Sequence, residues 1–311
     1  MKKTWPKALF LGIASSLCFS VTYILNSSMA QSGGNWMWSA SLRYLFMLPF
    51  LLVLNAKNLK PVFAAIGSAP GKWILWSTVG FGLFYAPMAF ASAYGPSWLV
   101  AGSFQFTYLA GALITPLFRD ESGKRQKIPV QLFPAFAVII AGVFLLQFDQ
   151  MKDAGLNTTL LFAIPVLLCA FSYPLGNRKV MALAAGKLTT LQRVLAMTVC
   201  SLPFWLIMAI TATCRVGLPS ASQAGQALAV AVISGVIATT VFFKATDMVR
   251  MHPQRLALVE STQCGDLIFS LLGGILLLGD PLPGLPGWFG LALIVGGMIV
   301  NSLLTTKNNK S

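Results

Sequence analysis

Long apolar runs separated by short polar connectors organise this chain. Each run has roughly the 17–25 residues that a membrane-spanning helix needs. In hydrocarbon the backbone must satisfy its own hydrogen bonds, so the runs predict helices, and no connector is long enough to be a soluble domain. We predict ten spans, at about residues 8–29, 36–55, 73–93, 96–118, 129–147, 158–176, 189–213, 225–246, 256–278 and 284–305.

The composition agrees with a polytopic membrane protein. Of the 311 residues 56% are hydrophobic and only 10% are charged, whereas soluble domains carry about 25% charged residues. The net charge of +14 does not indicate nucleic-acid binding, because the basic residues lie in short clusters between the apolar runs and not on one face. The lipid bilayer is therefore the expected partner of most of the surface.

The basic residues also predict the orientation. If the N-terminus is inside, seventeen of them lie in the inner connectors and termini, and only Lys152 and Arg215 lie in the outer connectors. This positive-inside pattern predicts a multi-pass protein of the cytoplasmic membrane with both termini in the cytoplasm. The first apolar run follows MKKTWPK like a signal peptide, but it is long and lacks a small-residue cleavage site, so we expect a retained first span.

The first and sixth spans carry similar sequences. LCFSVTYILN ends at Asn26 and LCAFSYPLGN ends at Asn177, and an arginine follows each after a similar interval, Arg43 in the first half and Arg193 in the second. Because each half has five spans, the second copy is inverted in the membrane relative to the first. Inverted repeats are the architecture of many secondary transporters, whose substrate site lies near the midplane between the copies.

With these features the chain resembles the drug/metabolite transporter superfamily, and within it the bacterial ten-helix, EamA-like multidrug-resistance efflux transporters. The resemblance covers nearly the whole chain. It implies an all-α fold of two inverted five-helix repeats, residues 1–150 and 151–311, and transport of a small organic solute.

Two departures from the family pattern concern acidic residues. The four-helix small multidrug-resistance relatives rely on a glutamate in their first helix, and no acid lies between Lys7 and Gln31 here. The glutamate that commonly closes the fourth and ninth helices is replaced by Asp120-Glu121 and by Asp280. Proton-coupled drug export is therefore not carried over residue by residue.

The ninth predicted span holds the sharpest candidate site. Gln263, Asp266, Ser270 and Gly273 follow one helical stripe, with Asp266 near the middle of the membrane. A carboxylate there costs about 2.5–3.5 kcal/mol, so it should face a protein interior or a wet cavity. We interpret Asp266 as a cation or proton site; the alternative is a structural acid neutralised by burial or by a partner.

Other charged residues within the spans leave alternatives open. Glu260 near the inner edge is either a gate residue or a solvated helix end. Lys244 pairs either with Asp247 on its own helix or with Glu260 as an inner gate. Arg43 and Arg193 must each find a carboxylate, a carbonyl or an anionic group of the substrate. Amide and tyrosine side chains complete the expected pocket, with helix packing as the alternative role of each: Tyr23, Asn26, Gln105, Tyr108, Tyr173 and Asn177.

These residues predict a transporter and not an enzyme. The five cysteines lack metal-like spacing, His252 is the only histidine, and no nucleotide-binding motif occurs, so we expect no cofactor and no metal. The expected task is export of a small organic solute by alternating access, through a cavity lined by spans 1, 3, 4, 6, 8 and 9. Protons are the expected partner if transport is coupled, and the chain is expected to be a monomer or a weak dimer. The alternatives are a flippase for a lipid carrier or lipid-linked sugar, a membrane-embedded lipid-modifying enzyme, and a passive channel.

Overall fold

The structure is a computed structural model that describes residues 4–118, 123–128, 130–184, 186–249, 255, 258–259 and 261–308. This part of the chain consists of helices and turns and contains no β-strand. The helices are α1 Thr4–Gln31, α2 Trp36–Leu54, α3 Lys60–Ser68, α4 Pro70–Ala91, α5 Ser97–Phe104, α6 Thr107–Leu113, α7 Phe133–Lys152, α8 Ala154–Ala184, α9 Thr190–Val216, α10 Ala221–Asp247, α11 Thr262–Leu278 and α12 Leu285–Asn308.

Seven of these helices are long and apolar enough to cross a membrane, namely α1, α2, α4, α7, α8, α9 and α10. Two shorter apolar helices cover Thr262–Leu278 and Leu285–Asn301. The predicted fourth span is two short helices, α5 and α6. The all-helical, apolar character of the prediction is thus confirmed, while the count of ten spans, the inverted repeats and the division at residue 150 stay predictions.

Large apolar side chains cover the outside of the bundle, and they include Phe10, Phe144, Ile164, Ile210 and Leu276. Inside, many serines and threonines of the spans are buried beside an apolar core. Water would cover so much apolar surface at a high free-energy cost, whereas lipid would not. The exterior is that of a multi-pass membrane protein.

Helix α1 lies at the centre of the bundle, against α2, α5, α10 and α11. Helix α2 packs on α9 and α10, and α12 packs along α7. Helix α4 crosses α8 where Gly80 meets Gly176, and a Cβ atom on Gly176 would overlap the backbone of Gly80. Helices from both ends of the sequence therefore interleave around one interior.

Several spans depart from regular α-helix. The backbone is helical from Phe133 to Ala184 except at Gly155. The φ angle of Gly155 is 80°, a left-handed value that glycine adopts at little cost. Helices α4 and α10 contain π-helical segments at Thr78–Gly82 and Val230–Ala238. Such segments leave backbone groups displaced from the regular ladder and occur often at functional sites.

Candidate functional site

A cavity of about 510 Å³ lies among α1, α2, α4, α8, α9, α10, α11 and the junction of α5 with α6. Its size is within the range of sites for small organic molecules. The predicted spans 1, 3, 4, 6, 8 and 9 all contribute, and α2 and α9, which correspond to predicted spans 2 and 7, line it as well.

Two broken helices meet at the cavity wall. Helix α5 ends at Phe104, and a turn at Gln105 and Phe106 precedes α6. Asp266 lies in the first turn after the 3₁₀ segment Thr262–Cys264. Both side chains are buried and line the cavity, and Gln105 Nε2 donates a hydrogen bond to Asp266 Oδ1 at 3.3 Å.

The predicted polar stripe of the ninth span faces the protein interior. Gln263 lines the cavity and donates from Nε2 to Ser15 Oγ at 3.2 Å. Ser270 is fully buried and donates to the backbone carbonyl of Asp266 at 2.6 Å, and Gly273 packs against Ile24. Only the first two members of the stripe therefore reach the cavity; the other two join α11 to its neighbours.

Arg43 lies in the cavity wall and is only 8% exposed. One terminal nitrogen donates to Thr22 Oγ1 at 3.2 Å and the other to Ser234 Oγ at 3.4 Å. The guanidinium lies 4.2 Å from the centre of the Tyr85 ring, and its buried Nε has no hydrogen-bond partner. No described carboxylate forms an ion pair with it, so this charge is held by hydroxyl groups and an aromatic ring.

Two further arginines line the cavity nearer the end of the bundle where α1 begins and α12 ends, which we call the terminal end. Arg178 donates to the Gly111 carbonyl at 2.7 Å and to Thr115 Oγ1 at 3.3 Å. Arg193 is partly buried, and within the described part of the chain its guanidinium has no hydrogen bond or ion pair. By its sequence position Arg178 is one of the inner-connector charges, and its place in the cavity was not predicted.

Aromatic rings form much of the remaining wall. Tyr173 contacts Phe84 at a ring-centre distance of 4.7 Å and Phe104 at 5.9 Å. Tyr44 stacks on Trp205 with centres 4.4 Å apart and planes 10° apart. The predicted residues Tyr23 and Tyr108 also line the cavity, and Tyr23 is buried.

The other predicted site residues fall into three places. Asn177 lines the cavity and donates to the Tyr173 carbonyl at 2.9 Å. Asn26 is buried behind the wall, where its Nδ2 lies 3.0 Å from the Tyr85 hydroxyl, so it positions the ring beneath Arg43. Lys244 is exposed away from the cavity and forms no ion pair with Asp247, and Glu260 lies outside the described residues.

A model of the family described as "EmrE: Putative multidrug resistance efflux transporter" matches residues 6–307. The chain belongs to this efflux transporter family. The predicted resemblance to the drug/metabolite transporter superfamily is thereby confirmed, and the protein is a membrane transporter of small solutes.

Relatives of this transporter extend over nearly its whole length. "Uncharacterized protein YjlA" of Bacillus subtilis (strain 168) is 48% identical over 305 residues, which cover 95% of this chain and 94% of the relative. "Uncharacterized 42.1 kDa protein in intracellular alkaline protease 3'region" of Shouchella clausii is 47% identical over 84% of this chain and 70% of its own length. A solved structure described as "Crystal structure of protein" has a TM-score of 0.60 at 15% identity, over 98% of this chain and 99% of that one, and shows the same fold.

At the end of the transporter opposite to the terminal end, which we call the far end, polar contacts join several helices. Asp280 is buried, and its Oδ2 accepts hydrogen bonds from Ser97 N at 2.8 Å and Ser97 Oγ at 2.7 Å. Its Oδ1 accepts from Gln31 Nε2 at 3.0 Å. We call these three residues the far-end latch. It joins the ends of α1 and α5 to the connector after α11, and Trp98 Nε1 adds a bond to the Pro281 carbonyl at 3.0 Å.

Proposed function

We propose that the protein is a secondary-active transporter that exports a small organic solute by alternating access. The observation that carries this proposal is a central cavity that extends to Arg178 and Arg193 near the terminal end, while the far-end latch joins the helices at the other. A cavity that lies toward one end of a bundle whose other end is held by contacts between helices fits one state of an alternating-access cycle.

The charge distribution supports a cytoplasmic terminal end. With both termini inside, seventeen basic residues lie on the inner side and two on the outer side. In that orientation the cavity faces the cytoplasm and the latch lies at the outer surface. Opening toward the outside then requires the latch to separate, which would release the solute there.

Two inverted repeats, residues 1–150 and 151–311, would explain why both halves of the chain line the cavity. Helices α1, α2 and α4 come from the first half and α8 to α11 from the second. A site between two such halves moves from one side to the other when they rock about it, without large rearrangement inside either half.

Asp266 and Gln105 form the coupling site in this proposal. Each lies where a helix is interrupted, and interrupted helices commonly form the ion and substrate sites of transporters. The carboxylate holds and releases a proton, and the amide of Gln105 steadies its ionised form with a hydrogen bond. The arginines and tyrosines of the wall bind the solute.

Solute counterflow in proteoliposomes tests the proposal. The full-length protein is purified, a small-solute library is screened by thermal shift, and a stabilising solute is loaded into vesicles at high concentration. Labelled solute outside should then accumulate transiently with saturable kinetics, because a carrier exchanges one molecule for another. Flux that rises linearly with concentration and shows no counterflow would instead identify a channel, and vesicles without protein provide the baseline.

A further inference from the structure

The charged side chains of the cavity wall are unequal in sign. Among the described residues that line it, Arg43, Arg178 and Arg193 carry guanidinium groups, and Asp266 carries the one carboxylate. Asp266 is hydrogen bonded to Gln105 and forms no ion pair with an arginine. A cavity that accepts cations would be expected to show the opposite balance.

Arg43 has hydrogen-bonding capacity that the protein does not use. Of its five N–H groups, two donate to the hydroxyl oxygens Thr22 Oγ1 and Ser234 Oγ, the guanidinium lies against the Tyr85 ring, and the Nε is buried away from the cavity. The remaining N–H groups of the two terminal nitrogens are the capacity that a solute could use. A buried charge without an opposite charge is costly, and it persists where a ligand supplies the missing partner. The side chain is more than nine-tenths buried and lies in the cavity wall.

Arg193 provides a second cationic group in the same space. Its guanidinium has no hydrogen bond or ion pair among the described residues, and Arg193, Arg43 and Tyr173 all line the cavity. The Tyr173 ring contacts Phe84 and Phe104. Two guanidinium groups are thus placed about an aromatic surface.

We propose that the transported solute is an amphipathic organic anion, held in a cavity that Arg43 and Arg193 make positive, with its carboxylate on Arg193 and an apolar or aromatic body against Tyr173, Phe84 and Phe104. Guanidinium groups bind planar carboxylates through paired, charge-assisted hydrogen bonds, which makes arginine well suited to this task. The inference names the substrate class of the proposed transport cavity and therefore rests on the proposed function.

Three probes that share one ring system test the charge preference. Isothermal titration of the full-length protein in detergent compares 2-naphthoate, the neutral 2-naphthalenemethanol and the cationic 2-naphthylmethylammonium. The parent protein should bind 2-naphthoate about tenfold or more tightly than the ammonium probe, as expected for charge-assisted bonds. Tighter binding of the ammonium probe, or binding of none of the three, would overturn the inference.

Matched variants separate the cavity from general surface charge. Arg193→Gln should weaken 2-naphthoate binding about tenfold or more while leaving the neutral probe within about twofold, and Arg193→Glu should reverse the preference toward the ammonium probe. Lys179→Gln removes the same charge from a residue that lies over Trp76 and Phe118 outside the lining, and it should bind like the parent. Equal losses in Arg193→Gln and Lys179→Gln would contradict the assignment.

Vesicle flux of the same probes distinguishes failure of this inference from failure of the proposed function. Saturable counterflow of the ammonium probe without counterflow of 2-naphthoate would remove the anion assignment and leave the transporter standing. Arg193-dependent binding of 2-naphthoate without any flux would remove the transporter and leave the charge preference of the site standing. Saturable, Arg193-dependent counterflow of 2-naphthoate supports both.

Discussion

Replacing Asp280 with asparagine tests whether the far-end latch keeps that end closed. The Asp280 carboxylate accepts hydrogen bonds from the backbone and hydroxyl groups of Ser97 and from the amide of Gln31. Asparagine preserves the shape but replaces one acceptor oxygen with an NH₂ group. That group then faces a donor of Gln31 or of Ser97, and the negative charge is gone.

The size of the effect follows from the bonds that are lost. A hydrogen bond to a charged group contributes about 1.5–3 kcal/mol. If the asparagine oxygen keeps both Ser97 contacts, the Gln31 bond is lost and the others lose their charge assistance, for a total of about 2–4 kcal/mol. Because each 1.4 kcal/mol is about a tenfold change, the population open at the far end should rise by roughly 30- to 1,000-fold.

A cysteine at Ser270 reports this opening. Ser270 is fully buried, and its carbonyl lies 3.0 Å from Ser97 Oγ, so the position is directly inside the latch. In a background without the five native cysteines, a membrane-impermeant thiol reagent added at the far end should label Ser270→Cys about 30-fold or more faster when Asp280→Asn is present, provided that opening is fast relative to labelling.

Asp149 provides the matched control. It is another buried carboxylate at the far end, and it accepts a hydrogen bond from Gly284 N at 2.8 Å, which joins α7 to the connector before α12 and involves neither α1 nor α5. Asp149→Asn should leave the labelling rate close to that of the parent. Unchanged labelling in a folded Asp280→Asn protein, or an equal increase in Asp149→Asn, would show that the latch does not control opening.

Three further changes have defined outcomes. Asp266→Asn should abolish flux driven by an imposed pH gradient while solute counterflow continues, and persistent pH-driven flux would exclude this carboxylate as the proton carrier. Gly176→Ala should lower the free energy of unfolding, measured by thermal unfolding, by about 1–3 kcal/mol, because the new Cβ atom overlaps the crossing helix. The control Gly225→Ala has open space at its Cβ atom and should be neutral or stabilising. A larger loss of stability in Gly225→Ala than in Gly176→Ala would contradict the packing. Asn26→Ala and Tyr85→Phe should each weaken solute binding in titration. The double variant should lose no more affinity than the more damaging single variant, because the two side chains act through one hydrogen bond. Additive losses would mean that the two residues act separately.

The hydrophobic pattern predicted the helical elements well because membrane spans need long apolar runs. It could not predict the interruption at Gln105 and Phe106, since the residues around that turn are as apolar as those of a continuous helix. The stretch after residue 147 was predicted as a connector, yet helical backbone continues through it except at Gly155. A break in the helix at one or two residues leaves the hydropathy of the segment unchanged, so hydropathy could not locate these breaks.

The candidate site was predictable where a polar residue stands out in an apolar span. Gln263 and Asp266 were found by their spacing, and Arg43 by its depth, and all three line the cavity. Asp280 was predicted only as the acid that closes the ninth helix, but it is buried in the latch. Its partners Ser97 and Gln31 could not be predicted because they are far away in sequence. Long-range pairings of this kind leave no local signal.

Part of the aromatic wall escaped prediction for a different reason. Tyr44 and Phe84 lie in spans that are rich in apolar and aromatic residues, where no periodic pattern distinguishes a ring that faces a cavity from one that faces lipid. Lys244 shows the converse: its charge within a span suggested either a pair with Asp247 or an inner gate with Glu260, but it lies near the end of α10, where a long side chain reaches the surface.

The stacking of Trp205 on Tyr44 makes the protein its own optical probe. Tyr44 forms part of the cavity wall beside Arg43, whereas Trp205 is completely shielded from the outside. A solute that binds in the cavity and shifts Tyr44 changes the surroundings of the Trp205 indole, and the fluorescence emission of an indole depends on its surroundings. Subtracting the spectrum of a Trp205→Phe protein from that of the parent isolates this signal from the other seven tryptophans, so occupancy can be followed without an attached dye.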